Sequence, residues 1–173
     1  RFLKDFKEGK AEKIYRSEER PDVAQTPLPD WSLIDFKDYA VMPIQYSRGC
    51  PFNCEFCDII VMNGRTPRAK TPTQLEKEFD ALYNAGWIGS VFIVDDNFIG
   101  NRGLVKKMLP VLIEWQKKHD YPFTLLTEAS TNLADDEELM RLMSSANFYK
   151  VFLGIETPNP ESLRECSKVQ NLK

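Results

Sequence analysis

Cysteine is scarce in this sequence: four residues in 173 are too few for a disulfide scaffold. A second C-x-x-C knuckle, which structural zinc sites normally pair with the first, is missing as well. Positive charge is not in excess, since 23 Lys and Arg face 26 Asp and Glu, for a net charge of −3 and a pI near 5.3. That balance gives no basic face for a nucleic-acid backbone, so nucleic acid as a partner is unsupported. No apolar run approaches the roughly 18 to 20 residues that span a bilayer, and the charged start Arg1 to Arg20 has no signal-peptide core. The expected location is therefore the cytoplasm. Histidine occurs once, as His119, after a lysine pair at a predicted helix end, where a solvated cation suits the helix dipole. An initiating methionine is absent and Lys173 falls in a predicted helix, so both ends read as cuts in a longer parent.

What is present fits one globular domain, with 42% hydrophobic residues available for a core. Residues 1–38 read as a charged arm followed by a proline-rich linker. The arm to Glu19 carries few large apolar residues, and Pro21, Pro27 and Pro29 predict an extended course over Arg20 to Asp30. Trp31, Leu33, Ile34 and Phe36 are expected to anchor the end of the linker on the core.

Residues 39–173 alternate short apolar runs with amphipathic stretches, the pattern of βα units and a parallel sheet. The predicted strands are Ala40 to Tyr46, Ser90 to Val94, Phe123 to Thr127 and Lys150 to Ile155. The later three are nearly continuous in apolar residues, as strands covered on both faces should be, and Pro43 places the first at an edge. Thr71, Pro72 and Gln74 predict a capping box, and Gly86 a stop. A second helix runs from near Asn101 to Lys118, with Leu104, Met108, Leu112 and Trp115 buried and Pro110 as a kink. A third starts at Asp135 with Glu138 completing its cap, and Asn159-Pro160 open a fourth. The fold class is α/β, a partial parallel (βα) barrel of about four units. Four units do not close a barrel that takes about eight strands, so unpaired edges are expected to join a missing C-terminal part or a second copy.

Three of the four cysteines fall within eight positions, in Ser47-Arg48-Gly49-Cys50-Pro51-Phe52-Asn53-Cys54-Glu55-Phe56-Cys57. The loop follows the first strand, on the side where βα folds place active sites. Three thiolates can hold three corners of a four-iron cluster and leave one iron open. An amino group and a carboxylate of a small molecule can chelate that iron and bring a neighbouring sulfonium within reach of an electron. A second reading is a structural zinc site, with Cys54 and Cys57 as one knuckle and Cys50 and Cys166 completing a tetrahedron. Cys166, in the fourth helix with Leu163 one turn before it, otherwise reads as a buried free thiol.

The spacing CxxxCxxC, with Phe56 before the last cysteine, resembles the defining loop of the radical S-adenosylmethionine (SAM) superfamily. The resemblance implies the N-terminal part of a radical SAM barrel and a 4Fe-4S cluster on Cys50, Cys54 and Cys57. It further implies SAM on the open iron, and reductive cleavage to methionine and a 5'-deoxyadenosyl radical. An external one-electron reductant such as flavodoxin or ferredoxin is implied as partner. Metal-free, such a loop would carry thiols of lowered pKa.

A cationic cofactor calls for carboxylates at the rim that holds the cluster, and Asp95, Asp96, Glu128 and Glu156 close the last three strands. By resemblance, Asp95-Asp96-Asn97-Phe98 stands where other members hold the methionine amino group. The sequence lacks the glycine-glycine-glutamate many of them use, which leaves the choice among Asp95, Asp96 and Asn97 open. Strand alternation predicts that one acid of the pair faces the ligand. Phe56, Glu128 and Ser130 are further SAM contacts implied by the resemblance, and Glu156 lies in a segment similar to the one that contacts the cofactor's ribose. Gly49, Gly100 and Gly154 are either close-approach positions or turn glycines. Arg48, Arg65 and Arg68 are either anion-binding or solvated.

Ser47 to Arg65, Asp95 to Asn101 and Gly154 to Asn171 together look like the subgroup whose members carry an N-terminal cobalamin-binding domain. Its DxHxxG motif is absent, because Asp120-Tyr121 follow the sole histidine. Cobalamin is therefore inferred for a longer parent and not for this chain. Methyl transfer to an unreactive carbon fits that subgroup; dehydrogenation, rearrangement and methylthiolation stay open.

Overall fold

The computed structural model describes residues 1–17 and 19–172; the reading of Lys173 as helical lies outside them. The elements are α1 (Phe2–Lys7), β1 (Met42–Ile44), β2 (Ser47–Arg48), α2 (Ile59–Met62), β3 (Arg68–Ala69) and α3 (Pro72–Asn84). Then follow β4 (Gly89–Ile93), α4 (Arg102–Lys118), β5 (Phe123–Ala129), α5 (Glu137–Ser145), β6 (Phe148–Leu153) and α6 (Pro160–Glu165). β1, β4, β5 and β6 form one parallel sheet in that order, with Ile44 beside Ile93, Val91 beside Leu125 and Thr127 beside Val151. Successive βα units thus lie side by side without the reversal of a doubly wound sheet, which is the ordering of a barrel wall. β1 is an edge strand, as Pro43 requires.

The first strand is shorter than the apolar run suggested. Val94 N donates to Ile44 O at 2.9 Å, but the next donors, Tyr46 N and Ser47 N, turn to the Asp95 carboxylate at 2.7 and 2.8 Å. A side chain takes over from the neighbouring strand, and the chain leaves the sheet to pair Ser47 with Ala69 in the antiparallel β2–β3 ribbon.

The core lies on one face only. Met42 and Ile44 from β1, Val91 and Ile93 from β4, and Phe123 and Leu125 from β5 pack against Leu75, Phe79 and Leu82 of α3. Met108, Leu109 and Leu112 of α4 and Leu139 and Met143 of α5 complete the layer. Phe79, Trp115 and Phe123 meet with ring centroids 5.2 to 5.4 Å apart. The expectation of strands covered on both faces fails: β5 alternates buried and less buried positions, and on β6 Phe152 is 68% exposed. A partial barrel wall covers its helix side and leaves its inner side open, so apolar inner residues need not be buried within four strands. No helix among the described residues is long and apolar enough to cross a membrane.

Several local expectations change for physical reasons. Thr71 caps α3 by accepting from Gln74 N at 3.2 Å, but the Gln74 side chain donates to Val23 O and Thr26 O instead of closing the box. The linker is consequently stitched down, with Val23 buried in a 3-10 turn (Val23–Gln25) that interrupts the predicted extended course. Leu33 is 80% exposed while Trp31, Ile34 and Phe36 pack on the core. Leu104, at 36% exposure, faces outward, and Val105 takes the buried position in that turn of α4. α5 is capped by Asp136, which accepts from Leu139 N at 3.1 Å; Asp135 lies in the preceding 3-10 turn, and Glu138 pairs with Lys106. His119 does end α4, but its ring stacks on Trp115 at 4.3 Å and is half-buried. The Asn159-Pro160 start holds, with Asn159 Oδ1 accepting from Glu161 N and Ser162 N at 2.8 and 3.2 Å. Thr71→Ala is expected to lower stability by about 1 kcal/mol, the usual worth of an N-cap, read as a lower urea midpoint at unchanged slope.

Candidate functional site

Asp95 is the hinge on which the cysteine loop hangs. Only 1% exposed, it accepts from Tyr46 N, Ser47 N and Ser47 Oγ, the last at 2.6 Å. Burial pushes its carboxyl up to about 6 against the pull of these hydrogen bonds, and burial beside Asp95 pushes the Tyr46 phenol up to about 12. From Ser47 the chain turns through Gly49, whose φ of +105° suits glycine; an added Cβ would meet Gly64 O at 2.8 Å. Cys50 N donates to that same carbonyl at 3.2 Å, closing the neck of the loop, and Cys57 N donates to Cys54 O at 3.1 Å in a tight turn. The loop arginines serve this framework. Arg48 donates to Gln45, Arg65 to Pro51 O, and Arg68 to Pro21 O and Asn63 O.

Cys50, Cys54 and Cys57 are free, half-buried thiols lining one cleft of about 660 Å³, including the space open to solvent. Phe56, Asp96, Asn97, Glu128, Ser130 and Glu156 line the same cleft. Asp96 and Asn97 come from the turn after β4, Glu128 and Ser130 from the end of β5 and the position after it, and Glu156 from the loop after β6, so the topology, not sequence proximity, assembles them. Asp95 does not line it; its side chain is spent on the loop. Of the two acids, Asp96 is the one at the cleft, where it accepts from Asn63 Nδ2 at 3.1 Å. Asn97 Nδ2 lies 3.3 Å from Ser130 Oγ and 3.8 Å from Cys50 Sγ. The Cys50 thiol is pushed up, chiefly by burial, with backbone and Asn97 hydrogen bonds opposing. This corrects the expectation of a lowered pKa for that cysteine: an apolar, half-buried setting penalises the thiolate until positive charge arrives.

Three cleft residues carry no mark in the sequence. Lys168 Nζ sits 2.6 Å from Glu156 Oε1 and 5.4 Å from the centroid of Phe56. Glu156, at φ +63°, is therefore already paired with a cation. Gln170 Nε2 lies 3.3 Å from Cys54 Sγ, and Phe152 lines the open wall. Lys168 and Gln170 reach the cleft from beyond α6, and no periodicity or motif spacing signals such a return. At Gly154 an added Cβ would meet Lys168 Nζ at 2.8 Å, so a larger residue there would displace the end of that side chain. Cys166 donates to Leu163 O at 3.7 Å, half-buried and still a thiol. Among the described residues, no three His, Cys, Asp or Glu side chains converge on one point as a single metal ion requires.

Known proteins resemble this chain over nearly all of its length. An uncharacterized methyltransferase of Synechocystis is 54% identical over 172 residues, covering 99% of this chain and 32% of the relative. The hopanoid C-2 methylase of Rhodopseudomonas palustris is 43% identical over 168 residues, covering 97% of this chain and 32% of the relative. The chain thus spans about a third of the length of these relatives. In fold it matches the cobalamin-dependent S-adenosylmethionine radical enzyme OxsB, with a TM-score of 0.75 at 18% identity, over 98% of this chain and 29% of that one. The Radical SAM superfamily profile matches residues 44–173, from the end of β1 onward, and the chain belongs to that superfamily.

Proposed function

We propose that this chain is the part of a radical SAM methyltransferase that holds a 4Fe-4S cluster on Cys50, Cys54 and Cys57 and binds SAM beside it. One observation carries the reading: three thiols without a fourth line the same cleft as Asp96, Asn97, Glu128, Ser130 and Glu156. The donor set fits the group, because three thiolates leave one iron of a four-iron cluster open, and Cys166 does not line the cleft with them. When bound together, cluster and SAM supply one-electron reductive cleavage of the sulfonium to methionine and a 5'-deoxyadenosyl radical.

The chain's own side chains divide the remaining work. Asp96 and Glu128 offer carboxylates to a cationic ligand, and no hydrogen bond or ion pair occupies Glu128's carboxylate among the described residues. Glu156, neutralised by Lys168, contributes hydrogen-bonding oxygen more than net charge. Asn97 and Ser130 tie the end of β4 to the end of β5 below Cys50. Phe56 and Phe152 supply apolar surface to the wall of the cleft. The electron comes from an external reductant such as flavodoxin or ferredoxin, in the cytoplasm. The hopanoid C-2 methylase relative favours methyl transfer to carbon as the outcome in a longer protein, with cobalamin held outside this chain.

Anaerobic reconstitution with iron and sulfide is expected to give a brown protein that forms 5'-deoxyadenosine from SAM and dithionite. Stoichiometric zinc uptake that depends on Cys166, with no iron retained, would sink the proposal.

A further inference from the structure

The segment after α6 is fastened at both ends. Glu55 N donates to Cys166 O at 2.9 Å, which joins it to the cysteine loop. Asn171 Nδ2 donates to Gly154 O and Ile155 O at 2.8 and 3.0 Å, and Asn171 Oδ1 accepts from Thr131 Oγ1 at 2.8 Å. Between these fastenings, Gln170 presents Nε2 to Cys54 Sγ at 3.3 Å across 116 positions of sequence. Its Oε1 is buried with no hydrogen-bond partner among the described residues. No competing contact therefore orients the amide, and the sulfur takes its N–H. This distance is well inside that of the other amide near a thiol, Asn97 Nδ2 at 3.8 Å from Cys50 Sγ.

Resting on the cluster assignment above, we propose that Gln170 is a positioning residue whose amide N–H donates to the Cys54 thiolate and sets the reduction potential of the centre. A thiolate is a stronger acceptor than a thiol, so ionisation tightens the contact. Reduction adds one electron to the cluster, and its charge spreads onto the ligating sulfurs. An N–H aimed at one of them stabilises the reduced form more than the oxidised form, which raises the potential. The donor belongs to a segment that follows the last strand, so the potential depends on that segment staying docked on Gly154, Ile155 and Glu55.

The test is a redox titration of the reconstituted 173-residue chain followed by electron paramagnetic resonance, with Gln170→Met, Gln170→Glu and Cys166→Ala. Gln170→Met keeps length and removes the donor, and Gln170→Glu adds negative charge as well. The midpoint is expected to move to more negative values in Gln170→Met, to move further in Gln170→Glu, and to stay in place in Cys166→Ala. After exchange into D2O, pulsed spectra of the wild type should show a deuteron coupled to the cluster that Gln170→Met lacks. Equal midpoints in wild type and Gln170→Met overturn the proposal, as does loss of cluster assembly in Gln170→Met alone, which would make the residue purely structural. A wild type that assembles no cluster contradicts the assignment of the three cysteines instead.

Discussion

Replacing any one of Cys50, Cys54 or Cys57 by alanine is expected to abolish thiolate-to-iron absorption and 5'-deoxyadenosine formation in reconstituted protein, while Cys166→Ala leaves both at wild-type level. The asymmetry follows from position. The three loop cysteines line one cleft, whereas the Cys166 thiol donates to Leu163 O and its backbone carbonyl accepts from Glu55 N of the loop. Removing one thiolate from a set of three leaves two iron corners without protein, and no other His, Cys, Asp or Glu cluster among the described residues replaces it. Iron content and absorbance of the four variants, measured side by side, check the expectation. A Cys166→Ala protein that loses iron along with the others would return the zinc-type arrangement to consideration.

Asp95→Ala is expected to lower stability by about 3 kcal/mol or more, because it strands Tyr46 N, Ser47 N and Ser47 Oγ in the interior at roughly 1 to 3 kcal/mol each, less whatever entering water recovers. The larger consequence is for the cysteine loop, which begins at these donors, so cluster uptake should fall even though Asp95 touches no thiol. The carboxyl also gives a pH signature. Burial holds it near 6 in the folded chain, above its ordinary 3.8. Between these values the native state binds the proton more readily than the unfolded state, so this group's contribution to stability is full below about 3.8 and is lost as pH rises through 6. Asp95→Asn does not titrate. The stability gap between wild type and Asp95→Asn, from urea midpoints of the metal-free proteins at pH 5 and pH 8, should therefore be wider at pH 5. A gap that widens toward pH 8 would show instead that the ionised carboxylate is the favoured form.

The cysteine triplet, the existence and order of the four parallel strands, though not their exact ends, and the helix starts at Thr71 and Asn159 were legible because their signals are local: fixed spacings, apolar runs, and cap residues beside proline. Pro43 marked an edge strand for a reason equally local, its missing donor. The cleft residues Asp96, Asn97, Glu128, Ser130 and Glu156 were legible as a set, because parallel strands deliver their C-terminal ends to one rim. Which member of Asp95-Asp96 faces that rim was not. Alternation says that neighbours part, but not which way, until the register Ile44 beside Ile93 is known.

The sequence by itself determined the superfamily, through the spacing of Cys50, Cys54 and Cys57, and the order of βα units, because spacing and periodicity are properties of neighbours along the chain. Only the tertiary structure decided that Asp95 belongs to the scaffold, that Glu156 is paired with Lys168, and that Gln170 reaches Cys54. Each of those is a contact between segments that no local pattern joins, made by parallel strands and a returning terminal segment, and side-chain burial at such crossings is fixed only once the sheet is assembled.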